Sequence, residues 1–359
     1  MEFEATTRDM PATAYKLYHL QKWKGLSAIV ALSIILFSIV IASMLIGSAD
    51  IPLIAVINLL LPGIPFPEVP AIDTLNASII IFSIRLPRIL MAGLVGAALA
   101  VAGAAYQGMF HNPLADPYLT GISQGAALGA VIGFLLPGNM TASLIPFLAF
   151  LGAILCVIAV YSIARVGKTV PLTTLILAGV AVGAFLASIT SYLTIIAGDR
   201  VHGIIFWLLG TFSLADWWRV TIIAPYILVG IVIICLYARP LNVMQLDEEQ
   251  ARQLGINVER VKLILLAAAT LATGAAVCFC GIIGFVGIII PHLIRILFGP
   301  DHRLLLPLSV LAGASFLILA DTISRSIMSP SEIPVGIITA LIGVPFFLYI
   351  LNSRKKAVF

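Results

Sequence analysis

The residues with the most evident potential for chemistry are arginines in two short motifs. Arg85 and Arg88 stand three positions apart in the run RLPR, and Arg325 lies four positions after Asp321. A guanidinium is a rigid fork that pairs well with carboxylates, so these side chains could bind acidic groups of a partner. Two alternatives remain open: snorkelling of the RLPR pair at a membrane surface, and mutual neutralisation within the second motif.

A second candidate is the hydrophilic stretch at residues 238–262, ARPLNVMQLDEEQARQLGINVERVK. Its acidic run at residues 247–249 can begin a short helix, which Gly255 is placed to end. On that helix Ala251 and Leu254 would share one face. Such a helix could cap a bundle of other helices, or it could dock on a partner protein.

Other chemistries have no support in the sequence. The chain has no GxxxxGK[ST] phosphate loop and no HExxH motif, and its five histidines are scattered. Its four cysteines lie in apolar runs without metal or redox spacing, so we expect them to be small buried hydrophobes. We therefore expect neither an enzyme nor a resident cofactor or metal, and nothing predicts a nucleic-acid partner.

The elements that must position these residues are membrane-spanning helices. Of the 359 residues, 61% are hydrophobic and only 10% are charged, so lipid must be the solvent for most of the chain. We predict ten spans, which lie at residues 26–46, 89–109, 118–136, 143–164, 172–197, 220–238, 263–283, 285–298, 304–320 and 335–351. The eighth is short and contains Pro291, which predicts a tilted or broken helix. The run at 51–61 is too short to span and is expected to lie at the interface.

Two features of the predicted spans bear on how the chain works. Ionisable residues are nearly absent from them, whereas an ion-coupled carrier usually keeps an acidic relay near the midplane. The second span also carries four glycines, Gly93, Gly96, Gly103 and Gly108. Glycines let helices approach closely, so we predict that this span is buried at the centre of the bundle.

Orientation follows from the basic residues, which favour the cytoplasmic side. With the N-terminus inside, only five of the 20 basic residues fall outside, and these are Arg85, Arg88, Arg200, Arg219 and Arg325. We therefore predict a cytoplasmic tail at residues 1–24, one transmembrane domain at 25–352 and a second cytoplasmic tail at 353–359.

Several long motifs, in this order, resemble those of the FecCD permease family. They include RLPRIL followed by GLVGAALAVAGAAYQGMFHNPLADPYLTGISQGAALGA, then LNVMQLDEEQARQLGINVERVK, GIIGFVGIIIPHLIRILFGPDHRLLLPLS and EIPVGIITALIGVPFFLYIL. The resemblance covers nearly the whole chain from about residue 25. It implies the all-α fold of type II ABC importer permeases, with about ten transmembrane helices. Members of this family carry iron–siderophore complexes, haem or cobalamin.

The resemblance also implies residue roles. Acidic residues of an extracytoplasmic binding protein would dock on Arg85, Arg88 and Arg325. Coupling helices at about residues 241–260 would dock on an ATPase, through Asp247, Glu248, Gln250, Ala251, Leu254 and Gly255. Inner gates would be formed by Asn112 and Leu114 after the second span and by Leu172 and Thr173 at the start of the fifth. Leu172 departs from the best-known cobalamin relative, which has a hydroxyl residue there.

The implied assembly is a homodimer in the cell membrane, surrounded by lipid, with both termini cytoplasmic. Two copies of a cytoplasmic ABC ATPase and one extracytoplasmic substrate-binding protein would complete it. The main alternative is an ion-coupled secondary transporter, which would work without any ATPase. A non-transporting scaffold is a third interpretation, but it leaves the external arginines without a role.

Overall fold

The computed structural model describes residues 12–47, 54, 56, 74–137, 141–246 and 248–355. Within these ranges the secondary structure is helical, apart from one isolated bridge between Val166 and Thr169. The predicted all-α class is confirmed. Asp247 and nearly all of the predicted interfacial helix at 51–61 lie outside the described residues.

The described helices are numbered here in chain order. They are α1 (Ala12–Leu45), α2 (Thr74–Ile79), α3 (Leu86–Met109), α4 (Ile122–Leu135), α5 (Thr141–Ala164), α6 (Leu172–Ile195), α7 (Val201–Leu208), α8 (Trp217–Leu236), α9 (Ala238–Met244), α10 (Glu248–Gln253), α11 (Val258–Cys280), α12 (Val286–Phe298), α13 (His302–Ser326) and α14 (Val335–Lys355). A π-helical segment, Ile80–Arg85, joins α2 to α3, and short 3₁₀ turns lie at Pro117–Thr120 and Gly198–Arg200.

Ten of these helices match the ten predicted spans. Seven are long and apolar enough to cross a membrane, and three shorter apolar helices, α4, α12 and α14, match the other predicted spans. The predicted short eighth span is α12, which has 13 residues with Pro291 inside it. At 1.5 Å per residue it is only about 20 Å long, so it cannot cross the bilayer core without help from the segment before it.

The helix α3 is the centre of the bundle, as its glycines predict. It packs against α13, α11, α12 and α8. A Cβ atom on Gly96 would lie 2.2 Å from the carbonyl oxygen of Gly313 in α13, and one on Gly103 would lie 1.9 Å from that of Gly287 in α12. The prediction that these glycines allow close helix packing is therefore confirmed.

This close packing gives a stability prediction. Replacing Gly103 by alanine should force α3 and α12 apart, because the added methyl group would meet backbone rather than a movable side chain. Overpacking of this kind costs about 1–3 kcal/mol, so the melting temperature in detergent should fall clearly. The matched control is Gly284→Ala, where an added Cβ has open space within 4 Å. Equal melting temperatures for the two variants would contradict the packing described for α3.

The least predictable part of the fold is a break in the middle of the bundle. The helix α11 ends at Cys280, and α12 begins only after Gly281 and Phe285, which have φ angles of 73° and 69°. The short helix α7 packs against this break, since a Cβ on Gly281 would lie 1.8 Å from the carbonyl oxygen of Trp207. No span was predicted at α7, because a helix of eight residues is too short to produce the pattern of a spanning helix.

The path of the chain places both described ends on the same side of the bundle. The last residues of α1 contact Arg85, and Glu332, which precedes α14, contacts Arg88. The start of α1 and the end of α14 therefore lie at the end opposite to the arginines. We call the end with the arginines the arginine end and the other the tail end.

Candidate functional site

The arginine end is built around Arg88, on the first turn of α3. Its Nε donates to Asp321 Oδ2 of α13 at 2.9 Å, and its Nη2 donates to Asp321 Oδ1 at 2.8 Å. Its Nη1 donates to Glu332 Oε1 at 2.7 Å. One guanidinium thus connects α3, α13 and the loop before α14, because its Nε, Nη1 and Nη2 all donate to carboxylates.

The other two arginines of this cluster hold the end of α1. Arg85 Nη1 donates to the carbonyl oxygens of the last two residues of α1, at 2.5 and 3.1 Å. Arg325 Nη2 donates to Ser43 Oγ at 2.8 Å and also to the Ser43 carbonyl oxygen. Arg325 Nε lies 3.9 Å from Asp321 Oδ2. The three arginines expected from the sequence therefore belong to one cluster.

Burial and pairing in this cluster differ from what the sequence suggested. Arg85, Arg88 and Arg325 are only 4%, 8% and 7% exposed, so each guanidinium already has acceptors inside the protein. The local ion pair of the second motif is present, since Arg325 Nε lies 3.9 Å from Asp321 Oδ2, but the short bonds of Asp321 go to Arg88. Glu332, whose side chain is 37% exposed, is the most accessible charged member, and sequence reasoning missed it.

At the tail end, the predicted short helix after the sixth span is present as α10, and a further short helix, α9, precedes it. Its predicted stop is confirmed, since α10 ends at Gln253 and Gly255 has a φ of 82°. The Gly255 N–H donates to the Arg252 carbonyl at 2.9 Å and the Ile256 N–H donates to the Ala251 carbonyl at 3.1 Å. These bonds close the helix through a left-handed glycine.

The predicted shared face of Ala251 and Leu254 is wrong. Ala251 is fully buried, whereas Leu254 is 64% exposed. The reason is that the helix ends at Gln253, so Leu254 belongs to the terminating turn. A second leucine, Leu246, is 62% exposed just before α10, and it was not singled out from the sequence. Two large apolar side chains therefore point to solvent on this element, while Glu248 Oε1 anchors it 2.6 Å from Lys262 Nζ.

The first predicted gate lies in the irregular segment between α3 and α4. Asn112 is exposed and Leu114 is 40% exposed, and the Asn112 Oδ1 accepts from the Leu114 N–H at 2.9 Å. Further along, Asp116 Oδ1 accepts from the Tyr118 N–H at 2.7 Å and so caps the 3₁₀ turn. Burial raises the pKa of Asp116 to about 6, although the bond from Tyr118 opposes this shift.

The second predicted gate lies at the start of α6, at the tail end. Leu172 is partly buried and faces a small cavity that Met109, Tyr161 and Lys262 also line. Thr173 is exposed. Both predicted gate segments lie beside the hydrophilic stretch at residues 238–262, since His111 contacts Met244 and Val170 contacts Glu259. Among all the residues that the structure describes, no group of three or more His, Cys, Asp or Glu side chains could hold a metal ion.

Comparison with known proteins decides the family. The model of the FecCD transport family matches residues 34–353, which is most of the chain. The chain belongs to the FecCD transport family. It is 47% identical over 280 residues to the cobalamin import system permease protein BtuC of Halobacterium salinarum, covering 78% of this chain and 75% of the relative. It is 41% identical to the hemin transport system permease protein HmuU of Yersinia pestis, covering 76% of this chain and 83% of that relative.

Solved structures agree with the FecCD assignment. An inward-facing conformation of a metal-chelate type ABC transporter superposes with a TM-score of 0.79 at 29% identity. The match covers 90% of this chain and 98% of the solved chain. This FecCD protein is thus the membrane-spanning permease subunit of an ABC importer, and its activity is transport.

Proposed function

We propose that this FecCD permease works as a homodimer that imports a metal chelate across the cell membrane. One extracytoplasmic binding protein delivers the chelate at the arginine end, and two copies of a cytoplasmic ABC ATPase drive transport from the tail end. The relatives are named for cobalamin, hemin and Fe(3+)-citrate, so the chelate class covers cobalamin, haem and iron–siderophore complexes. Selection within that class would be made mainly by the binding protein.

The observation that carries this proposal is the form of residues 238–255 at the tail end, which comprise α9, α10 and the turn after α10. We call this segment the coupling element. Leu246 and Leu254 are more than half exposed there, although the element itself is anchored through a buried lysine. Exposed apolar side chains that flank an anchored short helix suit docking on another protein. Because the sequence has no phosphate loop of its own, an ATPase is the partner that an importer needs at this position.

The homodimer is supported by an apolar cavity that one copy leaves open. It has a volume of about 600 Å³ and lies between α7, the break before α12, and α14. Its lining includes Leu209, Gly284, Phe285, Gly336 and Pro345. A second copy facing this side would close the cavity into a pathway along the two-fold axis. Apolar walls suit a large chelate that must not be held tightly during passage.

An ion-coupled transporter is less well supported by the charges inside the spans. Such a carrier needs an acid that can gain and lose its proton during transport. Asp321 is the buried acid of α13, and both of its oxygens already accept hydrogen bonds from Arg88. A carboxylate fixed in this way is a structural partner for arginine and is poorly placed to act as a proton relay.

Reconstitution of the complex tests the proposed function. The permease would be co-expressed with the cognate ATPase, purified in lipid nanodiscs and mixed with the binding protein loaded with its chelate. We expect the ATPase to co-purify and its ATP hydrolysis to rise when the loaded binding protein is added. Failure of the ATPase to co-purify would contradict the proposal.

The proposed orientation gives a prediction for labelling in intact cells. In a background without native cysteines, Lys355→Cys should be shielded from an impermeant maleimide, whereas Glu68→Cys should react. Lys355 ends α14 at the tail end, and Glu68 lies outside the described residues in the predicted external segment. Labelling of Lys355→Cys from outside would show that the tail end faces outward and would contradict the proposed orientation.

Docking of the binding protein is proposed at Arg85, Arg88 and Arg325, with partner acids joining or replacing their internal acceptors. Charge reversal at Arg88 is a poor test, because a glutamate there would face Asp321 and Glu332. Arg85→Gln is better, since the Arg85 partners at the end of α1 are neutral carbonyl oxygens and the change puts no negative charge beside Asp321 or Glu332.

We expect Arg85→Gln to weaken the affinity of the binding protein by about tenfold at low salt, through loss of one charge pair. The salt dependence of binding should also become shallower, because fewer charges are screened. Arg200→Gln is the matched control, since Arg200 is an exposed arginine that donates to the Phe134 carbonyl, outside the cluster. If Arg85→Gln and Arg200→Gln bind equally well, the cluster has only an internal role.

A further inference from the structure

We propose that two direct contacts carry the movement of the coupling element to the two inner gates, one contact for each gate. Glu259 joins the coupling element to the segment before Leu172, and His111 joins the coupling element to the segment that begins with Asn112. This inference rests on the proposed function, because it takes the coupling element and the gates as assigned above. It adds the residues that connect them.

The first contact starts from an ion-pair network beside α10. Lys262, on the first turns of α11, is only 6% exposed. Its Nζ lies 2.6 Å from Glu248 Oε1 on α10 and 3.3 Å from Glu259 Oε1. Arg252 Nη2 lies 3.8 Å from Glu248 and 3.7 Å from Glu259. A buried ammonium is held strongly by its carboxylates, so α10 and the start of α11 should move together.

Glu259 extends this network to the second gate. Its Oε2 accepts a hydrogen bond from the Val170 N–H at 2.9 Å, across 89 positions of the chain. Val170 stands two residues before Leu172, and between them is Pro171, with φ fixed near −61°. The link from the carboxylate to the start of α6 is therefore short and stiff. A displacement of α10 can reach Leu172 without passing through a flexible loop.

The second contact links α9 to the first gate. The His111 Nε2 lies 2.6 Å from the carbonyl oxygen of Met244, the last residue of α9. A carbonyl oxygen can only accept, so Nε2 carries the proton and donates. His111 directly precedes Asn112, and its φ of 50° is uncommon for a residue other than glycine. The bond to Met244 supports that backbone conformation at the entrance to the gate segment.

The two contacts share no hydrogen-bonding group. The network of Glu259 enters the loop before α6, whereas His111 acts at the end of α3. If they transmit movement, each should control its own gate. If they are only static braces, removal of either should loosen the whole tail end and affect both gates alike. This difference allows a crossed test.

The test places a reporter cysteine at each gate in the complete complex with ATPase and binding protein. Thr173→Cys reports the second gate and Leu114→Cys reports the first, both in a background without native cysteines. The measured quantity is the change in maleimide labelling rate when ATP is added. With the parent protein we expect ATP to change the rate at both reporters.

Glu259→Ala should reduce the ATP-dependent change at Thr173→Cys about tenfold and leave that at Leu114→Cys nearly as in the parent. His111→Ala should have the reverse pattern. Glu259→Gln should restore part of the effect, because its amide oxygen can still accept from the Val170 N–H. Arg165→Ala is the control, since Arg165 is exposed and its Nε donates only within its own loop, to Gly167.

The outcomes separate this inference from the proposed function. Equal loss at both reporters in either variant, or no loss in both, would overturn the two-contact arrangement while leaving the importer assignment intact. No effect of ATP on either reporter in the parent complex would overturn the gate assignment itself and this inference with it.

Discussion

Replacing Asp321 by asparagine should strongly lower the fraction of the permease that folds. Asp321 is 1% exposed, and it accepts three hydrogen bonds from Arg88 while lying near Arg325. Asparagine has the same shape but no charge, so two buried guanidinium groups would lose their shared anion. Breaking a buried pair in this way costs about 3–5 kcal/mol. The amount of monodisperse protein in mild detergent, measured by size-exclusion fluorescence, should fall accordingly.

A second variant separates loss of pairing from loss of shape. Arg88→Met combined with Asp321→Leu replaces the pair by apolar groups of similar volume, which is often tolerated where the single changes are not. We expect the double variant to recover much of the folded fraction lost in Asp321→Asn. An Asp321→Asn protein as abundant and stable as the parent would show that the cluster contributes little to folding.

Replacing Leu254 by aspartate should prevent docking of the ATPase while the permease still folds. Leu254 is 64% exposed in the turn after α10, so a charge there meets solvent in the isolated subunit. At an interface, loss of a central apolar side chain costs on the order of 2 kcal/mol or more, which is about thirtyfold in affinity. Co-purification of the ATPase and chelate-stimulated hydrolysis are the measurements.

The matched control for this variant is Leu214→Asp. Leu214 is 65% exposed, close to the value for Leu254, but it lies before α8 at the arginine end. We expect Leu214→Asp to bind the ATPase as the parent does. Equal retention of the ATPase by both variants would mean that the turn after α10 is not part of the docking surface.

The spans and the close approach of other helices to α3 could be predicted because they depend on local patterns. Long apolar runs mark each spanning helix, and the glycines of α3 mark close approach wherever the partner helix lies. The order of the motifs identified the family as well. These signals need no knowledge of which distant segments meet.

The partners of the charged residues could not be predicted, because they are far apart in the chain. Arg88 lies 233 positions from Asp321 and 244 from Glu332, and no local pattern connects them. The sequence therefore suggested arginines at a surface, whereas packing buries all three, with Arg88 and Arg325 beside Asp321 and Arg85 against the carbonyl oxygens that end α1. Leu254 was misplaced for a more local reason, since α10 ends one residue before it and the terminating turn leaves it exposed while Ala251 is buried.

We expect this permease to move its substrate only when a separate ATPase hydrolyses ATP. Proteoliposomes would hold the permease and ATPase, with the loaded binding protein on the arginine side and ATP on the tail side. Uptake of labelled cobalamin, haem or an iron–siderophore complex would be measured with ATP, with an ATP analogue that cannot be hydrolysed, and with an ion gradient alone. We predict uptake with ATP only. Uptake driven by the ion gradient in liposomes that lack the ATPase would contradict ATP-driven import.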